Sequence, residues 1–172
     1  MQRILVVGVT GAGKSTLARS VGARLGVPYH EMDALYFAGP GWAVNGRLAE
    51  DVGGIADGPR WIIDSLGYPE VRDLLWERAD TVLWLDYPRR VVMPRVLRRS
   101  LRRTVTREAL FGGNREIWRG WLSREHPAWW SAAQHGPRRR EVERRTRDPR
   151  FGPLTVHRFG RPAETAAWLD GL

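Results

Sequence analysis

Cysteine is absent from this chain. That excludes disulfides, thiolate nucleophiles and Cys-bearing zinc or iron–sulfur sites, and it agrees with a reducing compartment. Lysine is nearly absent: of 28 basic residues only Lys14 is a lysine, and all the others are arginine. Long apolar runs are missing too, with no window near the ~18 residues that a membrane span needs. The N-terminal MQRILVVGVTGAGKS carries a short apolar run that ends in glycine, not an h-region followed by a small-residue cleavage site. These absences predict a soluble, cytoplasmic protein, and they make the solitary lysine the first residue to explain.

What is present suits one domain over residues 1–172. Hydrophobic residues make up 42% and charged residues 27%, enough for a core and too patterned for disorder. A net charge of +9 favours polyanionic partners such as nucleotides, nucleic acid or acidic surfaces. The charge is clustered. Arg89, Arg90, Arg95, Arg98, Arg99, Arg102, Arg103 and Arg107 run without an acid until Glu108, which reads as an anion-binding surface. A second cluster, Arg138 to Arg150, is interleaved with Glu141, Glu143 and Asp148 and reads as solvated and partly self-paired.

Strands and helices alternate. Ile4 to Val7, Val27 to Asp33, Trp61 to Asp64, Thr81 to Asp86 and Leu154 to Phe159 read as five strands. Leu17, Val21 and Leu25 recur at helical spacing before Gly26. A short helix follows a loop at 38–46, another covers Val71 to Arg78, and Pro88 opens the arginine-rich helix. Residues 111–153 contain breaks at Gly112-Gly113-Asn114 and Gly136-Pro137, and Pro162 to Leu169 closes the chain as a helix. This order predicts an α/β fold, a mainly parallel five-stranded sheet flanked by helices, with ligands beyond the carboxyl ends of its strands.

Gly8 to Ser15, GVTGAGKS, fits GxxxxGK[ST] at every fixed position, directly after a strand and before a helix. Gly8, Gly11, Ala12 and Gly13 let backbone N–H groups surround a phosphate, with Thr16 in the helix turn behind them. Lys14 reaches the β- and γ-phosphates of ATP, and the Ser15 hydroxyl ligates Mg²⁺. Asp64 ends an apolar strand and is the favoured second metal residue; Asp86 has the same form, and its alternative use is to cap the next helix. Asp33, at the end of HEMD, is placed to orient an acceptor hydroxyl or take its proton, sharing a strand face with Glu31. Arg95, Arg99 and Arg103 line one helical face, where their repulsion calls for a bound anion.

Of nine tryptophans, Trp61 and Trp84 read as core. Trp42, in a Pro-Gly-Trp loop, suits a substrate wall as well as plain packing. Trp118, Trp121, Trp129 and Trp130 lie among Arg115, Arg119 and Arg124. Packing in a helical subdomain is preferred there over stacking on single-stranded nucleic acid. His126, His135 and His157 have no ligand spacing.

Together these residues resemble the P-loop small-molecule kinases of the adenylate-kinase-related group. More narrowly they resemble the bacterial FlaR-like, or DNA topology modulation, family. The resemblance runs through the P-loop, HEMDALYF, WIIDSLGYPEVRDLLWERADTVLWLDYPRR, GNREIW and VHRFGRPAETAAWL. It implies a P-loop NTPase fold with sheet order 2-3-1-4-5, which sets Asp64 beside the P-loop strand, and an arginine-rich helical lid within 89–153. It implies that Arg95 packs on adenine, that Arg99 reaches phosphates, that Arg72 is near an acceptor's anionic group, and that Arg161-Pro162-Ala163 lines the adenine pocket. Residues 34–60 offer only Arg47 and Arg60, and 64–69 read DSLGYP in place of DGFPR; both departures weaken a nucleoside-monophosphate acceptor. The function so implied is transfer of the γ-phosphoryl group of Mg-ATP to a small-molecule or nucleotide acceptor. The alternatives are an ATPase switch and a basic nucleic-acid-binding regulator.

Overall fold

Alternate residues of the first strand enter different cores, and that division organises the molecule. A computed structural model describes residues 1–116, 118, 121 and 127–172; Arg119, Arg124 and His126 lie outside them. In chain order the elements are β1 (Arg3–Gly8), α1 (Lys14–Leu25), β2 (Tyr29–His30), α2 (Met32–Tyr36), β3 (Phe37–Gly39), β4 (Ala43–Val44) and α3 (Leu48–Ala56). Then follow β5 (Trp61–Ile63), α4 (Pro69–Arg78), β6 (Thr81–Leu85), α5 (Arg89–Thr106), α6 (Pro127–Thr146), β7 (Thr155–Phe159) and α7 (Pro162–Asp170).

Five strands form one parallel sheet in the order β2-β5-β1-β6-β7, with Leu5 beside Ile63 and Gly8 beside Leu85. With the small antiparallel β3–β4 hairpin set aside, this is the second-third-first-fourth-fifth order that the resemblance implies. Leu5 and Val7 point into a core with Val52, Leu75, Trp76 and Val142, while Ile4 and Val6 point into one with Leu17, Val21, Val92 and Phe159. Helices α3, α4 and α6 therefore cover one face and α1, α5 and α7 the other. Burial on both sides is why β1 and β6 read as unbroken apolar runs. Trp61 and Trp84 are core residues as expected. No helix among the described residues is long and apolar enough to cross a membrane.

Three local expectations are corrected. The second strand stops at His30: the Met32 N–H donates to Asp64 Oδ1 at 3.2 Å, and helix α2 starts there. Asp33 thus sits in the first turn of a helix and shares no strand face with Glu31. Residues 38–46 hold most of the hairpin and a tight turn at Pro40–Trp42. Gly136-Pro137 does not break the chain, because α6 runs through it. Proline forfeits one backbone hydrogen bond, but tertiary bonds pin the helix. Ser131 Oγ donates to Thr10 O at 3.2 Å, and His135 Nε2 lies 2.9 Å from Tyr87 O.

Candidate active site

The loop from Gly8 to Gly13 leaves β1 and turns directly into α1. Gly11, at φ 85°, lies so close to α5 that a Cβ there would strike the Val96 side chain and fall 2.9 Å from Val92 O. Glycine is therefore what lets the arginine helix approach the loop. Gly13 caps α1 at φ 98° without a side-chain acceptor, leaving the helix N-terminus open to an anion. Ala12 is buried, Thr16 is exposed, and Lys14 Nζ donates to Val9 O at 3.4 Å.

Of the two strand-end carboxylates, one reaches this loop. Asp64, 7% exposed, accepts from Ser15 Oγ at 2.5 Å, so the strand-end acid and the loop hydroxyl are already paired. Asp86 is committed elsewhere: Arg158 lies at 2.6 Å and Arg139 at 2.9 Å. It makes no cap bond to α5. The hard oxygens of Ser15 and Asp64 suit Mg²⁺, which keeps most of its waters and takes one or two protein ligands. Asp33 Oδ1 accepts from Tyr68 Oη at 3.0 Å, and Tyr68 stacks on Tyr36 with centroids 3.5 Å apart. Burial, with Asp64 and Asp33 adding, pushes Glu31 above the ordinary carboxylate range, and Arg19 holds it at 3.1 Å.

The cations are unevenly neutralised. Arg103 pairs with Glu116 at 3.4 Å. Arg95 is exposed; it rests over the Tyr87 ring at 5.8 Å and reaches Ala12 O at 3.5 Å. Arg72 donates to Gly67 O at 3.0 Å and lies 4.0 Å from Glu141. Lys14, Arg99 and Arg138 have no carboxylate within ion-pair distance among the described residues. Burial pulls Lys14 below the usual lysine value, Asp64 and Asp33 oppose this, and Arg138 and Arg99 reinforce it. Burial and then Arg103 lower Arg99, whose buried Nε has no hydrogen-bond partner among the described residues. Burial and then Arg72 lower Arg138, which lies 4.6 Å over the Trp130 ring.

Arg138 is the residue that sequence reasoning missed. Its neighbours Arg144, Arg145, Arg147 and Arg150 do pair with Glu141, Glu143 and Asp148. Arg138 stands apart from them, on the loop side of the same helix. A continuous α6 would have set Trp130 and Arg138 on one face, eight residues apart, but reading Gly136-Pro137 as a break hides that. Trp42 sits at φ 59°, 41% exposed, with its N–H donating to Asn114 Oδ1 at 2.8 Å. Arg47 pairs with Glu50 and Arg60 bonds Leu25 O, so neither serves the loop. Trp118 and Trp129 are more than half exposed, against the expectation of packing, whereas Trp121 bonds Thr104 Oγ1.

No family model matches the chain, and no curated protein does. Among solved structures it is similar to a shikimate kinase from Acinetobacter baumannii in complex with shikimate. Identity is 17%, the TM-score 0.55, and the match covers 99% of this chain and 90% of that one. It is similar to a sugar kinase from Janibacter sp. HTCC2649, at 20% identity and TM-score 0.50, over 99% and 95% of the two chains. A deoxyadenosine kinase from M. mycoides with bound dATP matches at 12% identity and TM-score 0.50, over 98% and 97%. The chain has the α/β fold of these P-loop kinases.

Proposed function

We propose that this chain is an ATP-dependent phosphotransferase, moving the γ-phosphoryl group of Mg-ATP to a small-molecule or nucleotide acceptor. One observation carries the reading: Lys14, Arg99 and Arg138, all half-buried, act on one another around the P-loop and have no carboxylate within ion-pair distance among the described residues. Such a trio costs free energy while empty and becomes favourable around a polyphosphate, whose oxygens supply charge-assisted hydrogen bonds.

In this reading the loop amides and Lys14 hold the β- and γ-phosphates, and Arg99, Arg103 and Arg138 neutralise charge on the transferring group. Ser15 and Asp64 would hold Mg²⁺, which draws charge from the phosphates when bound. The nucleoside end lies toward Arg95 and Tyr87, whose hydroxyl is 2.6 Å from Thr165 in the α7 turn after Arg161. Tyr68 fixes Asp33 Oδ1, leaving Oδ2 to orient the acceptor hydroxyl or take its proton. Trp42 and Arg72 would contact the acceptor on that side. The fold shared with kinases of shikimate, a sugar and deoxyadenosine supports phosphoryl transfer, and the placement of Arg47 and Arg60 away from the loop disfavours a nucleoside monophosphate. The FlaR-like resemblance and a cytoplasmic location belong to the same proposal.

The test is steady-state ADP release with a panel of nucleotides, nucleosides, sugars, hydroxy acids and amino alcohols. Release should be slow without acceptor, rise about tenfold or more with one class, and vanish in Lys14→Ala. Equal release with and without every acceptor would point to an ATPase switch. DNA affinity that survives Lys14→Ala and falls steeply with salt would point to a nucleic-acid binder.

A further inference from the structure

Asn114 touches neither the P-loop nor Asp33, yet it joins the two sides of the site. Its Nδ2 donates to Gly39 O at 2.9 Å and to Phe111 O at 2.6 Å, and its Oδ1 accepts from Trp42 N at 2.8 Å. Only one orientation of the amide satisfies all three, since two carbonyls need the NH₂ and one N–H needs the oxygen. The residue is buried, so each bond it loses would leave a polar group unsatisfied. Gly112 completes the junction. At φ 63° it lies flat on the hairpin, and a Cβ there would overlap the Gly39 carbonyl and fall 2.8 Å from Gly39 N. Trp42, a non-glycine residue at φ 59°, is held in a sparsely populated conformation by the same amide.

Both ends of this junction lead to the site. The hairpin β3–β4 continues directly from α2, which carries Asp33. Two residues beyond Asn114, Glu116 pairs with Arg103 of α5, and Arg103 acts on Arg99. We propose that Asn114 is a positioning residue that couples the acceptor-side hairpin to the arginine helix, so that nucleotide at the loop orders the hairpin. The physical basis is reciprocal linkage: a ligand that relieves repulsion between Arg99 and Arg103 firms the Arg103–Glu116 segment, and the Asn114 bonds pass that order to Gly39 and Trp42. This rests on the nucleotide reading above.

Hydrogen–deuterium exchange on the full chain tests it, using Mg²⁺ and a non-hydrolysable ATP analogue as the probe. In the parent protein, the analogue should protect the P-loop and α5, and also residues 37–44, which carry no proposed nucleotide contact. In Asn114→Ala the first protection should persist and the second disappear. Asn114→Asp should do the same, because it keeps the acceptor for Trp42 N but sets a carboxylate oxygen against two carbonyls. Gly112→Ala should do so by pushing the hairpin off. A merely structural role would speed exchange equally with and without the analogue. Hairpin protection that survives in all three variants overturns the coupling, as does a parent whose P-loop is protected and whose hairpin is not. A parent with no protection at the P-loop overturns the nucleotide reading itself, and the coupling with it.

Discussion

At the scale of residues, the two strand-end aspartates separate by partner, not by sequence. Asp64 bonds Ser15, whereas Asp86 is held by two arginines. Asp86→Asn should therefore lower stability by about 1.5–3 kcal/mol, the range for hydrogen bonds to charged groups, while nucleotide binding is kept. Asp64→Asn should abolish the Mg²⁺ dependence of ATP binding with a smaller loss in melting temperature; thermal melts and titrations with and without Mg²⁺ separate them. Lys14 adds a prediction in pH. Burial lowers its pKa in the free protein, and a phosphate beside Nζ raises it again. Between those two values binding takes up a proton, so affinity must fall as pH rises from the lower towards the higher. Calorimetry in buffers of different ionisation enthalpy reads that proton, and Lys14→Met should remove it. The composition now has a physical meaning: arginine forks serve faces and ion pairs, while the loop needs a compact point charge.

Among elements, α1, α5 and α7 were legible because capping glycine, opening proline and apolar spacing act locally. The P-loop was legible for the same reason, its letters and its setting being contiguous. What sequence could not give depends on distant partners. Helix α2 starts where it does because Asp64, far along the chain, takes the Met32 amide. The hairpin depends on Asn114 across more than seventy residues. Helix α6 survives Gly136-Pro137 through bonds to Thr10 and Tyr87, and Arg138 was hidden with it. Since proline there gives up a helical hydrogen bond, Pro137→Ala should raise stability by about 1–3 kcal/mol, in line with helix propensity. A lower melting temperature in that variant would show that the proline sets a bend the helix requires.

For the whole molecule, period-two alternation in β1 assigns the helices to two layers, and parallel pairing brings the loop, Asp64 and the start of α2 to the carboxyl end of the sheet. That much of the site follows from fold class. The convergence of Lys14, Arg99 and Arg138 does not, because it is made by three helices meeting over the loop. Under the proposed function it sets activity against stability: three half-buried cations would be tolerated for the anion they are proposed to receive. The most direct measurement is calorimetric titration of a non-hydrolysable Mg-ATP analogue into the parent protein and into Lys14→Ala, Arg99→Met and Arg138→Met, with a thermal melt of each unliganded protein. Each substitution should weaken binding about tenfold or more, roughly 1.4 kcal/mol, while the empty protein melts at the same temperature or higher. Binding that is indifferent to Lys14→Ala, or no binding to the parent protein, would contradict it.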